Sequence, residues 1–243
     1  MKIQDSVVLI TGAAVRVGRA VALYLAERGA RIAFSYYLED EPWQQTLEEI
    51  RALGAEALAE QAEMRDAASI RHLVDATRER FGRIDVLVNN ASVWLKAPFL
   101  EITEEAWDLA LEVNLKGPFL CSQTVAPVML EQGGGLIVNV TDLSAFQVWE
   151  GYTHHAASKA GLVALTKAMA VELAPRVRVN AVAPGTVLLP DECPPQKRQW
   201  AEERSLLGRV GCPEDVARTV AFLMESDFTT GSVYFIDGGR ALV

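Results

Sequence analysis

A chain of 243 residues, half of them hydrophobic, has the material for one sizeable core. Its formal net charge of −9 argues against nucleic acid or an anionic membrane surface as a partner. The three cysteines, Cys121, Cys193 and Cys212, are odd in number, far apart and in no metal-ligand or CxxC pattern, so a reduced, cytoplasmic setting is expected.

The opening MKIQDSVVLITG has an apolar run of only four residues before Gly12, too short for a signal peptide. No later stretch approaches the roughly 18 apolar residues of a membrane helix. Val7–Ile10 reads as a strand, followed at once by TGAAVRVG and a helical pattern through Val21, Leu25 and Ala26. Strand, glycine turn and helix is the layout that aims backbone N–H groups at a phosphate. Arg31–Tyr36 then reads as strand, Pro42–Leu53 as helix, Ala55–Ala62 as a weak strand and Ser69–Phe81 as helix. Asp85–Val88 is a strand ending in Asn89-Asn90-Ala91-Ser92. A long helical pattern runs from Glu104 to about Glu131, with Gly117-Pro118 marking a bend.

Residues 136–161 carry the densest chemistry. Leu136–Val140 is a short apolar run behind Gly133, Gly134 and Gly135, and ends in Thr141-Asp142. A helix follows whose Tyr152, His155 and Lys159 fall at i, i+3 and i+7, on one face. If the strand belongs to an open parallel sheet, its carboxyl end is where ligands bind, and Asp142 faces that helix across the crevice. Two of the three histidines, His154 and His155, sit side by side here. A carboxylate, an imidazole and an ammonium converging in this way suit proton transfer.

Val177–Val182 is a strand ending in Ala183-Pro184-Gly185. Residues 186–200, with Pro190, Pro194 and Pro195, show little periodicity and read as a loop. Pro213–Met224 is a helix and Val233–Ile236 a last strand before Asp237-Gly238-Gly239. The alternation predicts one α/β domain over 1–243: a doubly wound, mostly parallel sheet of seven strands with helices on both faces.

TGAAVRVG at 11–18, NNAS at 89–92, Asn114 in a helix, Asp142 with Lys159, PG at 184–185 and DGG at 237–239 occur in one order. Together they resemble the short-chain dehydrogenase/reductase family over essentially the whole chain, which implies a Rossmann-type domain and a nicotinamide cofactor. On that resemblance the cofactor turn comprises Gly12, Arg16, Val17 and Gly18. Tyr36 and Glu63-Met64 flank the adenosine. Asn90, Ala91 and Ser92 pass its ribose, and Pro184, Gly185 and Val187 reach the nicotinamide. Arg16 replaces the usual middle glycine, and a guanidinium there suits a 2′-phosphate. The second strand ends in Ser35-Tyr36-Tyr37, with no carboxylate for a ribose 2′-hydroxyl. NADP(H) is therefore favoured over NAD(H), although Glu39, Asp40 and Glu41 follow closely and must point away from such a phosphate.

The combination TGxxxRxG, NNAS and a strand-ending Asp142 looks closest to the pteridine reductase branch, and Arg240 after DGG fits it. In that branch an aspartate takes part in protonating the reduced ring. The family pattern YxxxK, with Tyr as acid and Lys on the nicotinamide ribose, is departed from: His155 stands four residues before Lys159. Three readings follow. His155 is itself the acid, since imidazole titrates near pH 6.5 against about 10 for a phenol; Tyr152 supplies a hydroxyl from one turn earlier; or ordinary carbonyl reduction is lost, leaving an Asp142-driven reductase or a silent NADP(H)-binding sensor or scaffold subunit. Asn114 matches the family residue that holds a proton-relay water.

Residues of about 186–212 correspond to the variable substrate loop. Trp94, Trp149 and Tyr152 are candidate walls for a flat, small-molecule substrate, as are Phe146 and Trp200; Phe99 reads rather as a core or interface residue. The resemblance also implies a homotetramer built through the long helices 104–131 and 152–174 and through the C-terminal strand.

Overall fold

The computed structural model describes residues 1–190 and 192–243. Seven strands form one sheet: β1 (Val7–Ile10), β2 (Arg31–Tyr36), β3 (Ala57–Gln61), β4 (Val86–Asn89), β5 (Gly135–Val140), β6 (Val177–Pro184) and β7 (Val233–Ile236). Their order is β3-β2-β1-β4-β5-β6-β7, and every neighbouring pair is parallel. A parallel sheet covered on both faces needs near-continuous apolar strands, and VVLI in β1 is fully buried.

Alternation along each strand sorts the core into two layers. Val8 and Ile10 of β1 join a cluster with Leu25 of α1 (Arg16–Ala26), Ile50 of α2 (Trp43–Ala52) and Val220 of α8 (Pro213–Glu225). Val7 and Leu9 point the other way, to Leu73 of α3 (Ala67–Phe81), Met129 of α5 (Gly117–Glu131) and Ala170 of α6 (Thr153–Leu173). Two helices remain: α4 (Glu104–Leu111), against α6, and α7 (Pro195–Glu203).

Several boundaries move for local reasons. The helix expected from Ser69 starts at Ala67 because Asp66 caps it, accepting from the Ala68 and Ser69 amides. The bend expected at Gly117-Pro118 lies just before it, as a π-helical turn over Glu112–Lys116 between α4 and α5. Such turns re-aim one side chain of a helix, and here it is Asn114. The loop expected over 186–200 is interrupted by α7, which uses Pro195 in its first turn, where the missing N–H costs nothing. Asp191, within that loop, lies outside the described residues.

The sheet order reverses direction between β1 and β4, and such a switch opens a crevice at the carboxyl ends of the strands. TGAAVRVG, NNAS, Thr141-Asp142 and Pro184-Gly185 all leave strands at that end.

Candidate active site

Thr141 and Asp142 emerge from β5 into a short 3₁₀ turn, Leu143–Ala145. Asp142 caps it: its Oδ1 accepts from the Ser144 amide at 2.7 Å and from the Ser144 hydroxyl. The same strand end is tied to α6, where the Thr141 hydroxyl donates to the Lys159 carbonyl at 3.2 Å. With both ends held, Oδ2 of Asp142 lies 2.6 Å from Nε2 of His155.

Asn114, fully buried in the π-helical turn, organises the other side of the imidazole. Its Oδ1 accepts from the Val93 amide at 2.8 Å and the Ser92 hydroxyl at 3.0 Å. Its Nδ2 lies 3.1 Å from the Val93 carbonyl, 3.1 Å from the Ser158 hydroxyl and 3.4 Å from His155 Nδ1. An amide nitrogen has two protons. The two shorter contacts use them, since Ser158 spends its own proton on the His155 carbonyl at 2.7 Å. His155 Nδ1 therefore keeps a proton and donates it to the Val93 carbonyl, 3.2 Å away. Two lone pairs do not face each other at 2.6 Å, so a second proton lies between Nε2 and Asp142.

Burial acts to raise the Asp142 carboxyl, but the hydrogen bond from His155 and then the charge of Lys159 outweigh it and hold it below the ordinary carboxylate value. Lys159, 3% exposed, donates to the Val140 carbonyl at 3.0 Å. Burial pushes its ammonium down, with Asp142 opposing in part. The two members of the ion pair differ in access: the His155 side chain is 1% exposed and that of Asp142 16%.

Trp94 closes over the imidazole, edge-on with ring centres 4.3 Å apart, and touches Tyr152 at 4.8 Å and Trp149 at 6.1 Å. Tyr152 is the residue preceding α6 rather than part of its first turn. Arg240 lies with its guanidinium carbon 5.2 Å from the ring centres of both Trp149 and Trp200. Phe146 instead packs on Phe235 of β7, and Phe99, expected in core or interface, is 70% exposed in the protomer.

At the glycine turn, Gly12 has φ +64°, and a Cβ on Gly18 would meet Asn90 Nδ2 and the Gly12 carbonyl at 2.6 Å. Asn90 is bound into this contact by donating to the Thr11 and Gly12 carbonyls, and a Cβ on Gly12 would meet Ala91. These two glycines serve close packing of helix, turn and β4. The turn then opens into α1 with no side-chain cap at Val15 and no acidic residue in the first turn, so its first amides are available to an anion, and Val17 is half-buried behind them. Arg16 is exposed and adopts φ +58°, the left-handed conformation that suits the glycine it replaces.

Three residues expected near the adenosine have side-chain partners within the protein. Tyr36 stacks on Trp43, with ring centres 4.6 Å apart, and donates to Glu39. The Met64 side chain is in the core, its sulfur 3.8 Å from Cys121, while the Glu63 carboxylate pairs with Arg65. Glu41 is held by the Tyr37 and Leu38 amides. At the end of β6 the Gly185 amide donates to the Ile236 carbonyl, Pro184 is a strand residue and Val187 is buried.

Sequence reasoning missed Ser144, Ser158 and the Val93 carbonyl. The spacing Asp142-x-Ser144 is a local signal for a side-chain turn; a backbone carbonyl in a loop carries none. Of the adjacent histidines, His154 is fully buried beside His155, with both ring nitrogens lacking a partner among the described residues.

The sequence as a whole is similar to known oxidoreductases. A family model described as enoyl-(acyl carrier protein) reductase matches residues 12–241. The 3-oxoacyl-(acyl-carrier-protein) reductase FabG of Thermotoga maritima is 40% identical over 247 residues, covering all of both chains. The hydroxy(phenyl)methylsuccinyl-CoA dehydrogenase subunit BbsD of Thauera aromatica is 39% identical over 250 residues, covering 100% of this chain and 99% of that one. Among solved structures, levodione reductase superposes with a TM-score of 0.92 at 32% identity over 99% of each chain. A 7α-hydroxysteroid dehydrogenase complexed with NADH and an oxo bile acid also gives 0.92, at 30% identity over 98% of this chain and 96% of that one. With such matches spanning nearly every residue, and a seven-stranded parallel sheet placing the expected motifs at one sheet end, the chain belongs to the short-chain dehydrogenase/reductase family of oxidoreductases.

Proposed function

We propose that this protein is an NADPH-dependent reductase of a pterin-like or other flat carbonyl substrate, in which Asp142 hands over the proton and His155 stands behind it. The observation that carries this reading is the 2.6 Å contact between His155 and Asp142 at the carboxyl end of β5. Both imidazole nitrogens are spent inside the protein, so His155 does not reach a substrate directly. Asp142 is the open member of the pair.

The residues at the glycine turn fit a dinucleotide diphosphate: uncapped amides at the start of α1, no acidic residue in its first turn, and an exposed guanidinium at Arg16 with no ion-pair partner among the described residues. Of the three acids after β2, Glu39 accepts from Tyr36 and Glu41 from the Tyr37 and Leu38 amides, so a 2′-phosphate there would rely on Arg16 to offset the charge that remains. Bound NADPH would supply the hydride. Lys159 uses one of its three donors on the Val140 carbonyl, leaving two for a ribose diol. As negative charge builds on the substrate beside Asp142, the proton on His155 Nε2 crosses to Oδ2 and from there to the substrate. The Val93 carbonyl and Asn114 keep the ring in place throughout. General-acid assistance of this kind contributes about 10²–10⁴ in rate.

Purified protein with NADPH tests the reading: absorbance loss with dihydrobiopterin, or with a ketone from a small panel, that falls at least a hundredfold in Asp142→Asn supports it. One observation favours a second reading, a silent NADP(H)-binding subunit: the imidazole is sealed under Trp94. Tight NADPH binding with no turnover on any substrate would establish that reading, and His155→Tyr would then raise ketone reduction at least tenfold if only a reachable acid is missing. A homotetramer built through α4, α5 and α6 accords with the apolar groove formed by Leu111, Phe119 and Leu165 on those helices and Leu115 in the π-helical turn; sedimentation reads it directly.

A further inference from the structure

Arg240 is a half-buried cation that the proton-transfer site does not use. One Nη donates to the Thr186 hydroxyl at 2.6 Å, and among the described residues no carboxylate lies within ion-pair distance of the guanidinium. Asp237, the nearest acid in sequence, is spent on the backbone, accepting from the Gly239 and Ala241 amides at 2.9 and 2.7 Å. A second cation without an ion-pair partner among the described residues stands close by: Arg204 lies 4.3 Å over the ring of Trp200, the indole that Arg240 also faces. Burial and the charge of Arg204 both work against the Arg240 cation, with Asp237 opposing. An incoming anion relieves that condition. Against a net charge of −9, two adjacent guanidiniums without an ion-paired acid among the described residues are a local exception.

The cations are joined to the proton-transfer pair by a continuous aromatic wall. Arg240 faces Trp149, Trp149 adjoins Trp94, and Trp94 covers His155. The wall thus runs from Arg240 to the imidazole that pairs with Asp142.

We infer that Arg240, assisted by Arg204, is the specificity-determining anchor for a carboxylate carried on an aromatic or heteroaromatic substrate, with Trp149 and Trp94 as the stacking surface. The inference rests on the reductase reading for the word substrate, while the binding site itself does not. A planar guanidinium with free N–H groups matches a carboxylate bidentately, and the indoles exclude water around the pair.

The test is a binding measurement that needs no turnover. Full-length protein saturated with NADP⁺ is titrated by calorimetry with 2-naphthoate and with its neutral isostere 2-naphthamide. The expected result is at least tenfold tighter binding of naphthoate, a preference that shrinks at high salt, falls below twofold in Arg240→Gln and is partly kept in Arg240→Lys. Equal affinities in the unsubstituted protein, or an undiminished preference in Arg240→Gln, would overturn it. The first of these needs no variant, so a misfolded substitution does not shield the idea. A protein that prefers naphthoate but never oxidises NADPH keeps this subsite and loses the reductase reading; an active enzyme indifferent to the ligand's charge does the reverse.

Discussion

His155 and Asp142 share one proton across 2.6 Å, and a single backbone carbonyl, that of Val93, fixes which proton it is. Because Nδ1 is committed to that carbonyl, Nε2 has only one partner to give to. On the proposed reading the imidazole is the buried store and the carboxylate, 16% exposed against 1%, is the outlet.

That order separates two substitutions. Asp142→Asn removes the outlet and should lower kcat at least a hundredfold with little change in NADPH affinity. His155→Gln leaves the carboxylate in place but without its proton store, and a loss of about tenfold is expected, since Asp142 can still be protonated from solvent. Steady-state kinetics on both variants check this; an equal or larger loss in His155→Gln would return the acid role to the imidazole.

The same pair makes stability pH-dependent. The folded chain holds Asp142 below its ordinary value, so across that interval the unfolded chain binds more protons and stability rises with pH. The contribution is fully present above the unfolded carboxylate value of about 3.9 and is lost as pH falls through the lower folded value. Denaturant melts of the native chain and Asp142→Asn should therefore converge on acidification. Parallel curves down to the acid transition would contradict the coupling.

His154 has the opposite standing. Burial pushes its imidazole down, helped by neighbouring His155, so the folded chain keeps it neutral and its stability contribution is lost as pH drops below about 6.5. An unpartnered buried polar group costs about 1–3 kcal/mol. His154→Leu is expected to raise stability by about 1 kcal/mol, near 3 °C in Tm for a chain of this size, and to flatten the profile between neutral and mildly acid pH. A destabilised variant would mean that a bound water satisfies the ring.

Arg16 combines a strained backbone with an exposed charge. At φ +58° a side chain costs about 1–2 kcal/mol, part of which glycine gives back as unfolded-state entropy. Arg16→Gly should stabilise the free protein by about 0.5–1 kcal/mol while weakening NADPH at least tenfold and leaving NADH within about twofold. Equal weakening of both cofactors would remove Arg16 from 2′-phosphate recognition.

The sequence by itself determined the sheet and its two faces. Strands such as VVLI in β1 are apolar at every position, which only a strand covered on both sides tolerates, and the glycine turn, NNAS and Asp142 follow strand ends directly. Local chemistry of that kind is written in consecutive residues. Tertiary structure decided everything that depends on a backbone group or on a distant partner. No pattern in the chain announces that the Val93 carbonyl selects the His155 tautomer, that Asn114 is turned inward by a π-helical turn, or that the Met64 side chain packs in the core beside Cys121. The proton's location between His155 and Asp142, and the meeting of Arg240 with Trp149 and Trp200 across more than 90 residues of chain in the first case and about 40 in the second, follow from how α6, α7 and the C-terminal turn pack over one crevice.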